Sequence, residues 1–467
     1  MRSRRDQLQA YQFLRHRIVS ALLSGEPESV ESPMRRIVRT SFAGLMVAVI
    51  ALAVFGIIGL LKQDGASGWR AQDTIVMEKG TGAAYVWKKG RLYPMLNYTS
   101  ARLFLGSDVQ ASVSRKSLAG IPRQQTLGIA GAPSSPPSAS DLVDDPWTVC
   151  ARPFGSQAKV TLLVGTRTLP GSLGPDSAAL VTTGIPGEDY LVWREHAFPV
   201  HSEAVAEALG FRSVNPQRVG PAWVAALERG PEITFPQIAG RGAAGNELGG
   251  QSTVIGQVFV VKGIGPDQYS VMLSGGLFAV SPVVAALVLA APHPLPNPGP
   301  VTIAPNAAGS ARKAPVNALD VGGYPDRTLT AAGGPDRPVL CATITGTTGK
   351  LTRSVHALAD LPPFTEQHVQ SAGAATPTAD EVYVQPGRGA LARDGTNPTV
   401  FLVVDGRRYP MGGSAALQAL GYNNVRISVL PGFFLSLLPT GPPLSSKAAG
   451  QPASLSAATA PGASPAP

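Results

Sequence analysis

Phosphate binding asks for a glycine-rich loop, G-x-x-x-x-G-K-[ST], whose backbone N–H groups wrap the anion while a lysine reaches it. The nearest approach in this chain is Gly346-Thr347-Thr348-Gly349-Lys350. Position 344 is Ile where the first glycine belongs, and Leu351 stands where a hydroxyl would hold magnesium. The run VFLVVD (400–405) could pass for the apolar strand and acid of an ATPase, but Asp405-Gly406 is an ordinary hairpin turn pair. His201 and Glu203 in HSEAV lack the second histidine of a zinc-protease helix. His196 and His201 read as a solvated turn and a helix start. The carboxylate pairs Asp144-Asp145 and Glu188-Asp189 lie among Pro and Gly and read as turn formers. No G-x-S-x-G elbow occurs. These residues assign no catalytic group, no cofactor and no metal.

Cys150 and Cys341 are the two cysteines of the chain, each ending a short apolar run, WTVC and PVLC, that reads as a strand. In an oxidising compartment such a pair favours a disulfide, which would stabilise the fold by about 5 kcal/mol through loop closure.

The compartment follows from residues 41–61, SFAGLMVAVIALAVFGIIGLL, which carry no charge. At about 1.5 Å per residue this length crosses the ~30 Å hydrocarbon core as a helix. Arg35, Arg36 and Arg39 precede it, whereas Lys62 and Arg70 are the basic residues that follow soon after. The positive-inside bias therefore predicts a cytoplasmic N-terminus and residues 62–467 outside. A cleaved signal peptide is the alternative, but the apolar run is long for one and no clear A-x-A site follows.

Charge distribution agrees. Of the net +9, residues 1–40 contribute +4, from eight arginines against four acids. Basic charge beside an apolar span suits a membrane surface better than a DNA groove. No basic stripe with interleaved aromatics is evident downstream.

Within residues 1–40, Leu8, Tyr11, Leu14, Ile18, Ala21 and Leu22 recur at three- and four-residue steps, one face of a helix over 7–23. A stub this small has no core, so Tyr11, Leu14, Ile18 and Leu22, with Arg15 beside them, are the expected contacts to a partner protein or, alternatively, to the bilayer.

The exterior part holds a degenerate pattern: AYVWKKGRLYPM (84–95), YLVWREHAFPV (190–200), YSVMLSGGLFAV (269–280) and FLVVDGRRYPM (401–411). Each reads as strand, polar turn and strand. The turn glycine recurs as Gly90, Gly275 and Gly406, with Glu195 as the exception. Pro94, Pro199 and Pro410 follow an aromatic, and Ala279 replaces the third proline. These prolines fix φ and end a hairpin. Shared Ala/Leu spacing and a closing glycine then predict a short helix. AWVAALERGP (222–231) also resembles FFLSLLPTGP (433–442).

The expected fold is α+β: four hairpin-helix-strand-helix repeats near 82–128, 188–240, 255–291 and 398–442, with the segments between them pairing into a β-rich core. Residues 131–146 and 291–318 read as loops, and 439–467 as a disordered Pro/Ala/Ser-rich tail.

Taken together, the stub residues Tyr11, Phe13, Leu14, Arg17, Ala21 and Leu22, the anchor after Pro33-Met34-Arg35-Arg36, and GRLYPMLNYTSARL (90–103), GIAGAP (128–133) and DPWTVC (145–150) resemble the EccB family, membrane subunits of the actinobacterial type VII (ESX) secretion system. The resemblance spans nearly the whole chain. It implies an inner-membrane protein with one transmembrane helix, an elongated periplasmic ectodomain of four repeats around a β-rich core, and a disulfide. It also implies assembly with EccC (an FtsK-like ATPase), EccD and EccE in a hexameric complex, and with a mycosin protease. Some members carry an ATPase label. ATP hydrolysis on that ground, and peptidoglycan binding because the repeats resemble cell-wall-binding modules, stand as alternatives to a scaffold role.

Overall fold

The computed structural model describes residues 4–24, 33–61, 68–166, 169–263, 265–292, 295, 299–346, 351–361 and 378–453. Helix α1 (Arg4–Ser24) precedes α2 (Pro33–Leu61), whose apolar span is Val38–Ile57. Pro33 opens α2, a position where the missing N–H costs nothing. Arg35, Arg36 and Arg39 thus fall on its first turns, and α2 starts eight residues before the uncharged run.

The rest is built on β-sheets. In the first, β1 (Thr74–Glu78), β2 (Ala84–Lys88) and β3 (Arg91–Pro94) form an antiparallel meander. Helix α3 (Tyr98–Leu105) then crosses over, and β4 (Gln110–Val113) returns parallel to β1. Asn97 caps α3 by accepting from Ser100 N, and Gly106 closes it at φ 86°. This is lobe 1. After the two-residue β5 (Leu142–Val143), the chain enters β6 (Trp147–Phe154) and β7 (Gln157–Val164) of a central sheet.

Lobe 2 repeats the path with β8 (Ser177–Thr182), β9 (Asp189–Trp193), β10 (His196–Pro199), α4 (Glu203–Ala206) and β11 (Gln217–Arg218), β11 lying parallel to β8. It adds α5 (Pro221–Val224) and β12 (Glu228–Arg229), the latter parallel to β10. Lobe 3 comprises β13 (Val258–Val261), β14 (Gln268–Leu273), β15 (Gly276–Val280), α6 (Pro282–Ala290), β16 (Val301–Thr302) and α7 (Pro305–Ser310). The short β17 (Thr330–Ala331) pairs back onto β8.

The chain then completes the central sheet with β18 (Val339–Thr345), β19 (Thr352–Leu358) and β20 (Glu381–Val384), in the order β19-β18-β6-β7-β20. Lobe 4 follows: β21 (Gly389–Asp394), β22 (Val400–Val404), β23 (Arg407–Pro410), α8 (Ser414–Ala419), β24 (Ser428–Leu430), α9 (Gly432–Ser436) and α10 (Ser446–Ala449).

Buried contacts put these parts in a row. One core joins the central sheet (Trp147, Val149, Leu162, Leu340) to lobe 2 through Trp223 and to lobe 4 through Phe434. Lobe 2 shares a second core with Val283 and Leu287 of lobe 3, and lobe 4 shares a third with Leu103 of lobe 1. The order is therefore lobe 3, lobe 2, central sheet, lobe 4, lobe 1, and lobe 1 joins α2.

The hairpins explain the recurring residues. Lys89-Gly90 and Asp405-Gly406 are two-residue turns with positive φ at both positions, which matches the right-handed twist of the strands. Arg194-Glu195 has positive φ at Arg194 alone, and in lobe 3 the turn is Ser274-Gly275 with the positive φ displaced to Gly276. Pro94, Pro199 and Pro410 each end the second hairpin strand. Gly230 and Gly441 solve a packing problem: a Cβ there would come within 2.4 Å of the Phe198 ring and 2.3 Å of the Tyr409 ring.

Three departures from the sequence reading have physical causes. Lobes 1, 2 and 4 begin one strand before the expected hairpin, because the returning parallel strand needs an opening strand to pair with. The 291–318 segment includes β16 and α7. The expected tail is packed up to residue 453: Leu444 and Ala449 are fully buried against α3 and lobe 4, and Gly128 N donates to Gln451 O. Small residues let α10 sit close to Phe104. Residues 454–467 lie outside the described residues.

Candidate functional site

Helix α1 presents Leu8, Tyr11, Leu14, Ile18 and Leu22 to solvent, from 52% exposed at Ile18 to 80% at Leu22. Arg15 is exposed beside them. Phe13 lies off that stripe and is 67% exposed too, so the apolar surface is broader than the periodicity suggested. An exposed apolar surface of this kind makes α1 a candidate contact site.

Cys150 and Cys341 are joined, at register-paired positions of β6 and β18 in the middle of the central sheet. Both are fully buried, with Leu163, Leu169, Val339 and Tyr383 around them. The pair staples the two strands between which lobes 2 and 3 are inserted.

The chemical candidates resolve into structural contacts. Val400–Val404 is the first hairpin strand of lobe 4, and Asp405 is in its turn. Gly346 N donates to the Asp145 carboxylate, whose pKa burial pushes up, while residues 347–350 lie outside the described residues. Asp144 ties the central sheet to lobe 4. Its backbone O accepts from Trp147 Nε1 and from Ser428 Oγ, and its carboxylate pairs with Arg426 at 3.1 Å. Glu188 accepts from Thr183 Oγ1. His201 Nδ1 contacts Gly187 O beside an open cleft of about 280 Å³ that Asp189 and Glu203 also line.

Two charged clusters escaped the sequence reading. Glu195, His196 and Glu228 bring ligand atoms within 4.8 Å of one another. Arg353 of β19 already binds the Glu228 carboxylate, and His196 Nε2 lies 3.4 Å from it, so the cluster joins lobe 2 to the central sheet as an ion-pair link. The buried Glu381 accepts from Lys159, Arg152 (3.0 Å) and Thr161 (2.9 Å). Burial pushes its carboxyl up, but those three donors outweigh it and hold the pKa below the ordinary value. No sequence signal could have found either, since each joins strands 32 to 229 positions apart.

A long exposed apolar helix and a row of lobes stapled around one sheet invite comparison with known proteins. The chain matches the family described as type VII secretion system ESX-1, transport TM domain B, over residues 2–454. The chain belongs to the EccB family. The EccB3 protein of Mycolicibacterium smegmatis, named as an ESX-3 secretion system ATPase, is 30% identical, with 94% of this chain and 89% of that protein covered. The EccB5 protein of Mycobacterium tuberculosis, named as an ESX-5 secretion system ATPase, is 31% identical over 95% and 92%. Among solved structures, a chain of the intact ESX-5 inner membrane complex superposes with a TM-score of 0.68 at 28% identity, covering 96% of this chain and 95% of that one. A chain of the EccB3 dimer from the ESX-3 core complex gives 0.67 at 28%, covering 81% and 99%. The overall fold is thus shared with chains of the ESX-5 and ESX-3 complexes.

Proposed function

We propose that this EccB chain is a structural subunit of a type VII secretion complex in the inner membrane, with α1 as its cytoplasmic contact and the lobes as its periplasmic scaffold. One observation carries the reading: α1 leaves Leu8, Tyr11, Leu14, Ile18 and Leu22 exposed along one stripe, while the other large apolar surface, α2, has the length of a membrane span. Arg35, Arg36 and Arg39 at the start of α2 favour the cytoplasmic side for α1. The likeness to chains of ESX-5 and ESX-3 complexes supports assembly with other membrane subunits and with further copies of this chain. EccC-, EccD- and EccE-like subunits in a hexameric assembly, and a mycosin protease, are the partners the family implies. The four lobes follow one path of strand, hairpin, helix and returning strand, which supports reading them as four copies of one ancestral unit. The ATPase named for the relatives finds no support in Val400–Asp405, which is a hairpin.

The test is a double substitution on α1, Tyr11→Asp with Ile18→Asp. It should abolish co-purification with the FtsK-like ATPase while leaving membrane insertion intact; unchanged co-purification would rule out α1 as the contact.

A further inference from the structure

The ectodomain's positive charge is confined to one place. Residues 68–128, which are lobe 1 and its flanks, hold nine Lys/Arg against three Asp/Glu, a net +6. Residues 129–467, more than five times as many, carry a net −1. Lobe 1 is also the part tied to the membrane span: six residues separate Leu61 from Gly68, a reach of about 25 Å even when fully extended.

The sheet of lobe 1 has two faces, and alternation sorts them. Ile75, Val86 and Met95 lie on the face covered by α3, which packs Ala101 against them and looks toward lobe 4. Val76, Tyr85 and Leu92 lie on the other, covered by Trp69 and Leu118. The chain arriving from α2 enters on this second face, at Gly68–Arg70. Arg70 reaches Ser117 O at 3.5 Å, and Arg123 stacks 5.1 Å over the Tyr85 ring, so the same face gathers Arg70, Lys116 and Arg123 from three separate segments. All three are exposed; of the acids nearby, Glu78 is buried and held by Tyr85 and Arg115, and the exposed Asp73 accepts from Lys89 N. The basic stripe that linear reading did not find is assembled by folding.

We infer that this outer face of lobe 1 docks on the anionic phospholipid headgroups of the membrane that α2 spans. Three exposed cations on a lobe tethered within about 25 Å of the bilayer come inside the ~8 Å screening length with little loss of freedom. Each basic residue near an anionic surface favours the docked state about fivefold. Docking would set the row of lobes at a fixed angle to the membrane. The inference rests on α2 spanning the bilayer, which incorporation into lipid discs reports separately.

The experiment uses the full chain in lipid nanodiscs of phosphatidylcholine, alone or mixed with phosphatidylglycerol. Both native cysteines are buried in their disulfide, so Ala119→Cys gives one labelling site on lobe 1 for energy transfer to a headgroup-labelled lipid. Transfer should be higher in anionic discs and should fall to the neutral-disc level at high salt. The triple variant Arg70→Gln, Lys116→Gln, Arg123→Gln should lower the docked-to-undocked ratio about a hundredfold. Equal transfer for the unsubstituted charges in neutral and anionic discs, or no response to salt, overturns the inference. If only added cell-wall sacculi move the signal, the wall is the occupant and the inference likewise fails.

Discussion

Cys150 and Cys341 face each other across β6 and β18, with Cα atoms 4.0 Å apart although 191 positions separate them in sequence. Everything in lobes 2 and 3 lies inside the loop they close. Cys150→Ala with Cys341→Ala should lower stability by about 5 kcal/mol if loop entropy governs. Chemical denaturation of the purified protein with and without reductant checks this; coincident curves would mean that the central sheet holds itself together without the bond.

Glu381 gives a pH signature. Its carboxyl is held below the ordinary value in the folded state, so its contribution is fully present above about pH 4.5 and is lost as pH falls through the lower folded value. Glu381→Gln should cost about 1–3 kcal/mol, the partners Arg152 and Lys159 being partly hydrated, and should flatten the acid limb of the unfolding curve.

His356 works in a different window. Burial lowers its pKa, while Nδ1–H donates to Pro170 O at 3.0 Å and Nε2 accepts from Ser354 at 2.9 Å. The unfolded ring takes up its proton near pH 6.5, so folding is favoured above that pH and weakened as pH falls below it. A melting-temperature series between about pH 7 and pH 5 should slope downward in the native chain and flatten in His356→Leu.

Leu444 tests the strap that closes lobe 1 on lobe 4. It is fully buried, and residues 451–453 bond to Thr126 and Gly128. Leu444→Ala should cost about 2–5 kcal/mol and speed limited proteolysis near residues 120–128.

How much of this was readable beforehand depended on whether the signal was local. The hairpins announced themselves through Lys89-Gly90 and Asp405-Gly406, and the membrane span through an uncharged run, because each is a property of neighbours in sequence. The opening strands of the lobes were missed: TIVME, SAALVT and GALARD share no residue pattern and are defined only by their partners. The packed stretch 439–453 read as a tail because Ala and Ser supply little apolar bulk; it is held by fit against α3 and by backbone bonds. The outer face of lobe 1 was hidden for the same reason, since Arg70, Lys116 and Arg123 become neighbours only after β1–β3 are laid down.

The most direct measurement is gentle detergent extraction from native membranes, followed by native-gel sizing and mass spectrometry of whatever accompanies the chain. A megadalton-scale assembly containing an FtsK-like ATPase is the predicted result. A chain that runs alone, as monomer or dimer, would contradict the scaffold account.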